Sequence, residues 1–307
     1  MSSDQPNMTH QIPAPIGGIP LPLDFAPSIL FSILYAAVFI VIAWRVYRPD
    51  SRCFLLVGSV IGALERVVFF ALRAYAAQHE GLRANRELQV YFQTTLAAGF
   101  ITHAQLVLDL LRSLLAHPRA RPSSTPAIAT SSDIELNPRS APGTEPDYPQ
   151  LRYYVRQACG LPGLVMLGAV VLGIDGSHAA LVRGIWYASA GIALGMLVWI
   201  GAVVGWAVCR VPRVPRWPIV WLASMGTLAA IVAIYRLGVL HCSTPLGGLE
   251  STASCSGNTP GEKAEFWIFH VAPEFLIAAL LAAVNARQMF GTGLWGDIKG
   301  KDPKPVK

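Results

Sequence analysis

Near the C-terminal end of the chain, His270 and Glu274 stand four residues apart inside the apolar stretch 264–286. That spacing is about one helical turn, so both side chains share one face of a helix. Pro273 lacks an N–H and leaves the carbonyl of Phe269 unbonded, which predicts a kink beside the pair. A carboxyl and an imidazole next to a kink can hold a cationic group, carry a proton or act as acid and base. A second pair, Glu65 and Arg66, lies inside another apolar stretch, 54–76. At helical rise, Glu65 is about 16 Å in from one end of its stretch, and Glu274 about 15 Å in from the opposite side. The two carboxyls therefore share a depth. Adjacent residues point about 100° apart on a helix, so Arg66 need not pair with Glu65. It could reach Glu274, or Asp109 in the stretch 89–115.

Each candidate has a plainer reading. Glu65, Arg66 and Glu274 could form an interhelical ion pair that only holds helices together. His270 and His103 could be helix-to-helix hydrogen bonders. His103 and Asp109 are six residues apart, about 120° off one another, so they do not point at one site, whereas Gln105 and Asp109 share a face. Arg236 lies about 5 Å from the end of its stretch and could extend its charge to the membrane surface. The chain has no HxxxH or HExxH, so no metal site and no cofactor is expected.

The elements that carry these groups are set by composition. The chain is 53% hydrophobic and only 14% charged, against about 25% charged for soluble domains. A helix crossing a bilayer needs about 20 mainly apolar residues. Seven stretches fit: 27–47, 54–76, 89–115, 157–175, 181–208, 217–239 and 264–286. The fold class expected is an all-α membrane protein with seven transmembrane helices. Residues 27–116 hold the first three and residues 151–290 the last four. An ionisable group at mid-membrane costs about 3 kcal/mol or more unless paired or hydrated, so the groups named above require an explanation. The net charge of +6 does not point to nucleic acid, because the basic residues lie between apolar stretches, as in membrane proteins.

Arg45, Arg48 and Arg52 follow the first stretch, and Arg112, Arg119, Arg121, Arg139, Arg152 and Arg156 the third. Arg210, Arg213 and Arg216 follow the fifth, and Arg287 with four lysines the seventh. The other side holds only Arg73, Arg83, Arg86, Arg183 and Lys263. This excess predicts a cytoplasmic C-terminus and an N-terminus outside. The polar, proline-rich residues 1–26 then form an outside tail, with a glycosylation sequon at Asn7. They lack the basic start and apolar core of a signal peptide. Cys242 and Cys255 fall in the outside loop 240–263, where a disulfide can persist and would stabilise by roughly 3 kcal/mol. Cys53 and Cys209 sit at cytoplasmic helix ends, positions open to palmitoylation. Residues 117–150 are rich in Ser, Thr, Pro and Ala and read as a disordered cytoplasmic loop, and 291–307 as a cytoplasmic tail. The tail's Gly291-Thr-Gly293-Leu-Trp-Gly296 follows a membrane helix rather than a strand, so it is no nucleotide site. Small residues at four-residue spacing (Gly58 and Gly62, Gly191 and Gly195, Gly201 and Gly205) predict close helix packing.

Four local patterns resemble the fungal lipid-translocating-exporter family, the seven-helix proteins linked to aminocholesterol resistance. Gly58-Ser-Val-Ile-Gly62-Ala-Leu-Glu65-Arg66, running on to Arg73, looks like that family's Gly-rich segment with a central Glu. Tyr91-Phe-Gln93 is similar to the opening of its third span, and Tyr235-Arg236 to the end of its sixth. Phe266-Trp-Ile-Phe-His270-Val-Ala-Pro273-Glu274, with Asn285 beyond, resembles its last span. The chain departs in lacking the family's Ala-Pro in the third span and its His-Pro-Gly after the Asn, and in its long loop 117–150. The resemblance implies seven helices, an outside N-terminus, a fungal origin, and movement of lipids or sphingoid bases, or stress resistance.

Three functions follow as expectations. The first is a plasma-membrane or endomembrane protein that binds or moves an amphipathic lipid or sterol-like molecule. Its site would be drawn from Glu65, Arg66, Asp109, Arg236, His270 and Glu274, and its partners would be membrane lipids and the small molecule. The second is an intramembrane enzyme, an isomerase or terpene-type cyclase, with Glu65 and Glu274 as catalytic acid and base. The third is a seven-helix receptor.

Overall fold

Residues 11–83, 85–116, 179–210, 216–245, 256–290 and 292 are described by the structure, a computed structural model. The long elements are α1 (Phe25–Tyr47), α2 (Leu55–Gln78), α4 (Arg86–Ala116), α5 (Ala179–Arg210) and α6 (Arg216–Val239). A short α3 (Glu80–Arg83) links α2 to α4. The last rod is built of α7 (Pro260–Phe266), a π-helical turn (Trp267–Val271) and α8 (Ala272–Ala283), followed by a short α9 (Ala286–Phe290). Six of these helices are long and apolar enough to cross a membrane. They account for six of the seven expected stretches; the other, 157–175, lies outside the described residues, as do Asn7, the loop 117–150, Cys255 and nearly all of 291–307. The architecture is that of an all-helical, multi-pass membrane protein.

Two helices form the centre. Within α4, 61% of the apolar window is buried inside the protein and within the last rod 50%, against 22% for α1. The last rod touches α1, α4 and α6, and α4 touches α2, α5 and α6 as well. α1 lies along α2 on the outside of the bundle, and both expose an apolar flank, with Leu30, Ile33 and Ile40 on one and Ile61 and Leu64 on the other. Such a flank suits lipid rather than water.

The last rod begins at a complete cap. The Thr259 hydroxyl accepts from the Glu262 N–H at 3.3 Å, the Glu262 carboxylate accepts from the Thr259 N–H at 3.2 Å, and Pro260 occupies the first turn. The kink expected at Pro273 takes the form of the π turn immediately before it. Widening that turn accommodates the missing N–H without ending the helix. Among the described residues the paired glycines mark no close helix contact. At Gly58, Gly62, Gly191, Gly195, Gly201 and Gly205 a Cβ would meet none of the described atoms within 4 Å.

The expected outside tail is only in part a tail. Residues 14–20 are all buried. Gln11–Pro13 (β1) pairs antiparallel with Ser243–Pro245 (β2), Ile12 opposite Thr244, and the Ala14 N–H extends the ladder to the Cys242 carbonyl at 3.1 Å. Cys242 is disulfide-bonded; Cys255, the partner expected from the sequence, lies outside the described residues. Cys53, by contrast, is free and fully buried, which closes it to acylation. Beyond the ladder the chain turns through Gly17 and Gly18, both at positive φ, where a Cβ on Gly17 would stand 2.8 Å from the Phe266 ring.

That turn is fastened by Arg73 and Lys263, two of the basic residues counted on the outside, and by Asp24. Arg73 and Lys263 are buried and share one carboxylate oxygen, Asp24 Oδ2, at 3.1 and 2.8 Å. Arg73 also donates to the Gly17 carbonyl at 2.6 Å, and Lys263 to the carbonyls of Gly17 at 2.8 Å and Ile19. The Trp267 indole N–H donates to Asp24 Oδ1 at 3.1 Å. Gln93 holds both backbone groups of Ile16, accepting its N–H at 3.0 Å and donating to its carbonyl at 3.2 Å.

Candidate functional site

Arg66 projects from α2 into the centre of the bundle, where Glu274 of α8 meets it at 2.5 Å. Both side chains are 2% exposed. The equal depths inferred from helical rise thus bring these two groups together. Glu65 stands on the other side of the guanidinium, 3.8 Å from Arg66 Nη1, and its side chain is 34% exposed. Arg66 Nε and Nη1 have no hydrogen-bond partner, so the donors on the Glu65 side are unused. One cation lies between two carboxylates and is bonded to the deeper one.

Two histidines flank Glu274. His103 Nδ1 lies 2.7 Å from the Gly99 carbonyl and 3.6 Å from Glu274 Oε1. A carbonyl only accepts, so Nδ1 carries the proton and Nε2 is the free nitrogen. His270 Nε2 faces Arg236 Nη1 at 3.4 Å. A guanidinium only donates, so here Nε2 accepts and the proton sits on Nδ1. That Nδ1 points at Glu274 Oε2 from 3.8 Å, and both atoms lack a hydrogen-bond partner. Arg236 is itself buried, its Nη1 donating to the Leu96 carbonyl at 3.2 Å. Its charge does not extend to the membrane surface. Asp109 lies apart, accepting from Gln105 at 3.4 Å, and belongs to neither the cluster nor the cavity beside it.

The cavity, of about 720 Å³, lies between α2 and α4 with Ala278 and Leu281 of α8 at its floor. Ile61, Ala63, Val90, Ala98 and Leu106 form apolar wall, and Glu65, Arg66, Tyr91, Thr94, Thr95 and His103 give a polar zone. Gly58 and Gly62 line it too, so these small residues widen a cavity instead of closing a helix contact. Ile61 and Val90 are also exposed on the outer surface of the bundle, so the cavity opens sideways at the depth of the apolar flank.

Gly99 is the functional residue that sequence reasoning missed. A Cβ there would occupy the position of Arg66 Nη2 and stand 2.6 Å from Glu274 Oε1. Its lack of a side chain makes room for the ion pair. A glycine in an apolar helix reads as a packing residue, and no local signal sets this one apart. Gly99→Ala is expected to force the pair open and lower stability by about 1–3 kcal/mol. The thermal unfolding midpoint in detergent checks this; an unshifted midpoint would show that the pair has room to spare.

An all-helical bundle with six membrane-length apolar helices and a charged cluster at its centre is what the chain shares with multi-pass membrane proteins as a class. No protein-family model, no curated protein and no solved structure matches it. Among the described residues no group of His, Cys, Asp and Glu could hold a metal ion.

Proposed function

We propose that the protein binds an amphipathic molecule with a cationic head in the cavity between α2 and α4, and carries it across the membrane. The observation that supports this most is the Glu65 carboxylate, its side chain one third exposed, at the polar zone of a laterally open cavity that Glu87 also lines. Arg66 balances one of its two neighbouring carboxylates, and its short bond goes to Glu274. Glu65 is therefore the carboxylate left on the cavity side of Arg66, placed where a lipid-soluble cation could reach it. The volume suits a molecule of small-lipid size, since ligand sites commonly span about 300–1,000 Å³. The apolar wall would hold the tail, and the threonines and Tyr91 the polar part next to the charge. The resemblance to the fungal lipid-translocating-exporter family leads to the same class of cargo.

A fluorescent long-chain quaternary ammonium, whose charge is fixed at every pH, is a suitable probe for the full chain in nanodiscs. Glu65→Gln keeps the shape of the site and is expected to weaken binding about tenfold or more, equivalent to about 1.4 kcal/mol. Equal affinity in the wild type and Glu65→Gln would remove Glu65 from the site.

A further inference from the structure

We propose that this cavity is an exchange site in which a proton on Glu274 and a cation at Glu65 exclude one another. The inference rests on the reading of Glu65 as the cation's counter-charge. It follows from the position of Arg66, bonded to Glu274 at 2.5 Å while its unpartnered Nη1 stands 3.8 Å from Glu65. A guanidinium stays charged, so losing the anion beside it in a buried place is costly. When Glu274 is ionised, Arg66 is satisfied there and Glu65 is left to a ligand. When Glu274 takes up a proton, Glu65 becomes the nearest carboxylate to Arg66 and is no longer free.

The groups around Glu274 provide the route. From α2 it faces Arg66 and, beyond that, Glu65; from α4, His103; from α6, Arg236 with Tyr235 behind; from α1, Tyr35; and from its own rod, His270. Of the two histidines, His103 lines the cavity and His270 is fully buried. A proton from cavity water adds to His103 Nε2, and the proton on Nδ1 passes to Glu274 Oε1, 3.6 Å away. Glu274 becomes a neutral acid, His103 is neutral again, and the ring resets by exchanging its remaining proton with water. The net change is one proton gained at Glu274. In the new acid Oε2 is the carbonyl oxygen, and it faces the N–H of the His270 ring, which Arg236 holds toward it. His270 and Arg236 are positioning residues in this scheme.

Linkage makes the exclusion reciprocal: the proton weakens cation binding by the same factor as the cation weakens proton binding. In wild-type protein in nanodiscs, affinity for the quaternary ammonium should fall on acidification by about 5–150-fold, the usual range of such coupling. At the acidic end, calorimetry in buffers of different ionisation heat should count about one proton released per cation bound. Glu274→Gln, fixed in the uncharged form, should bind weakly and without pH dependence. Persistence of the wild-type pH profile in Glu274→Gln would assign the titration to Glu65 itself and overturn the exchange. So would wild-type binding that is insensitive to pH. Binding absent at every pH would instead overturn the cavity reading on which the exchange rests. If Glu274→Gln does not fold, the infrared spectrum of the wild type decides. The carboxylic acid formed on acidification should absorb at the high frequency of a water-excluded acid, and a band at the hydrated-acid frequency would assign Glu65 and overturn the proposal.

Discussion

Glu274→Ala is expected to destabilise the folded protein by about 3–5 kcal/mol, the cost of leaving a buried charge without its partner. The value should fall toward the lower end, because Glu65 stands 3.8 Å from the orphaned guanidinium and can take over part of the pairing. The double variant Glu274→Ala with Arg66→Met removes both charges from the apolar centre and should recover most of the loss. Cys53 offers the readout. It is free and fully buried, so a thiol-reactive dye reports its exposure as the bundle opens on heating. A double variant no more stable than the single one would show that the pair contributes more than the balance of its own charges.

The second large effect is expected away from the centre, at the amino-terminal turn. Asp24 is the one carboxylate within salt-bridge distance of both Arg73 and Lys263 among the described residues, and all three are buried. Asp24→Asn leaves two cations facing a neutral amide and should again cost about 3–5 kcal/mol. Its local signature should differ from that of Glu274→Ala. Residues 14–20 are fastened through this cluster, so Asp24→Asn should open that segment to limited proteolysis well below the global unfolding temperature. Adding Lys263→Met, which removes one surplus charge, should restore part of the protection. Cleavage at the wild-type rate in Asp24→Asn would mean that the strand pairing and Gln93 hold the segment by themselves.

Helical rise and residue type made the central pair legible. Glu65, Arg66 and Glu274 could be placed at one depth because a membrane helix converts sequence position directly into distance. The same rule gave no rotation about the helix axis, so whether Arg66 would face Glu65, Asp109 or Glu274 stayed open. Gly99 settles that choice by leaving space on α4 for the guanidinium, and the absence of a side chain leaves no mark in a hydropathy profile. Arg236 had two readings, at the surface or in the site, for a related reason. Distance from a helix end does not say whether a side chain points out or in, and His270 and the Leu96 carbonyl draw this one inward. Arg73 and Lys263 entered the reading only as charges counted on one side of the membrane, and Asp24 not at all. Their burial depends on a proline-rich segment that folds back over them, a long-range event with no periodicity to read. Among the described residues the expected glycine contacts are also missing, since small residues permit a close approach without requiring one.

The turn at residues 14–20 also bears on the order in which the molecule can be made. Lys263 and the Gly17 carbonyl it holds are 246 residues apart in the chain. At about 5–20 residues per second, the ribosome needs about 10–50 s to add that length. Throughout that interval the early segment lacks its lysine, and for most of it its second strand, while α1 and α2 can already pair. The amino-terminal turn is therefore the last piece to be closed, and release of the nascent chain before the final rod is complete leaves it open.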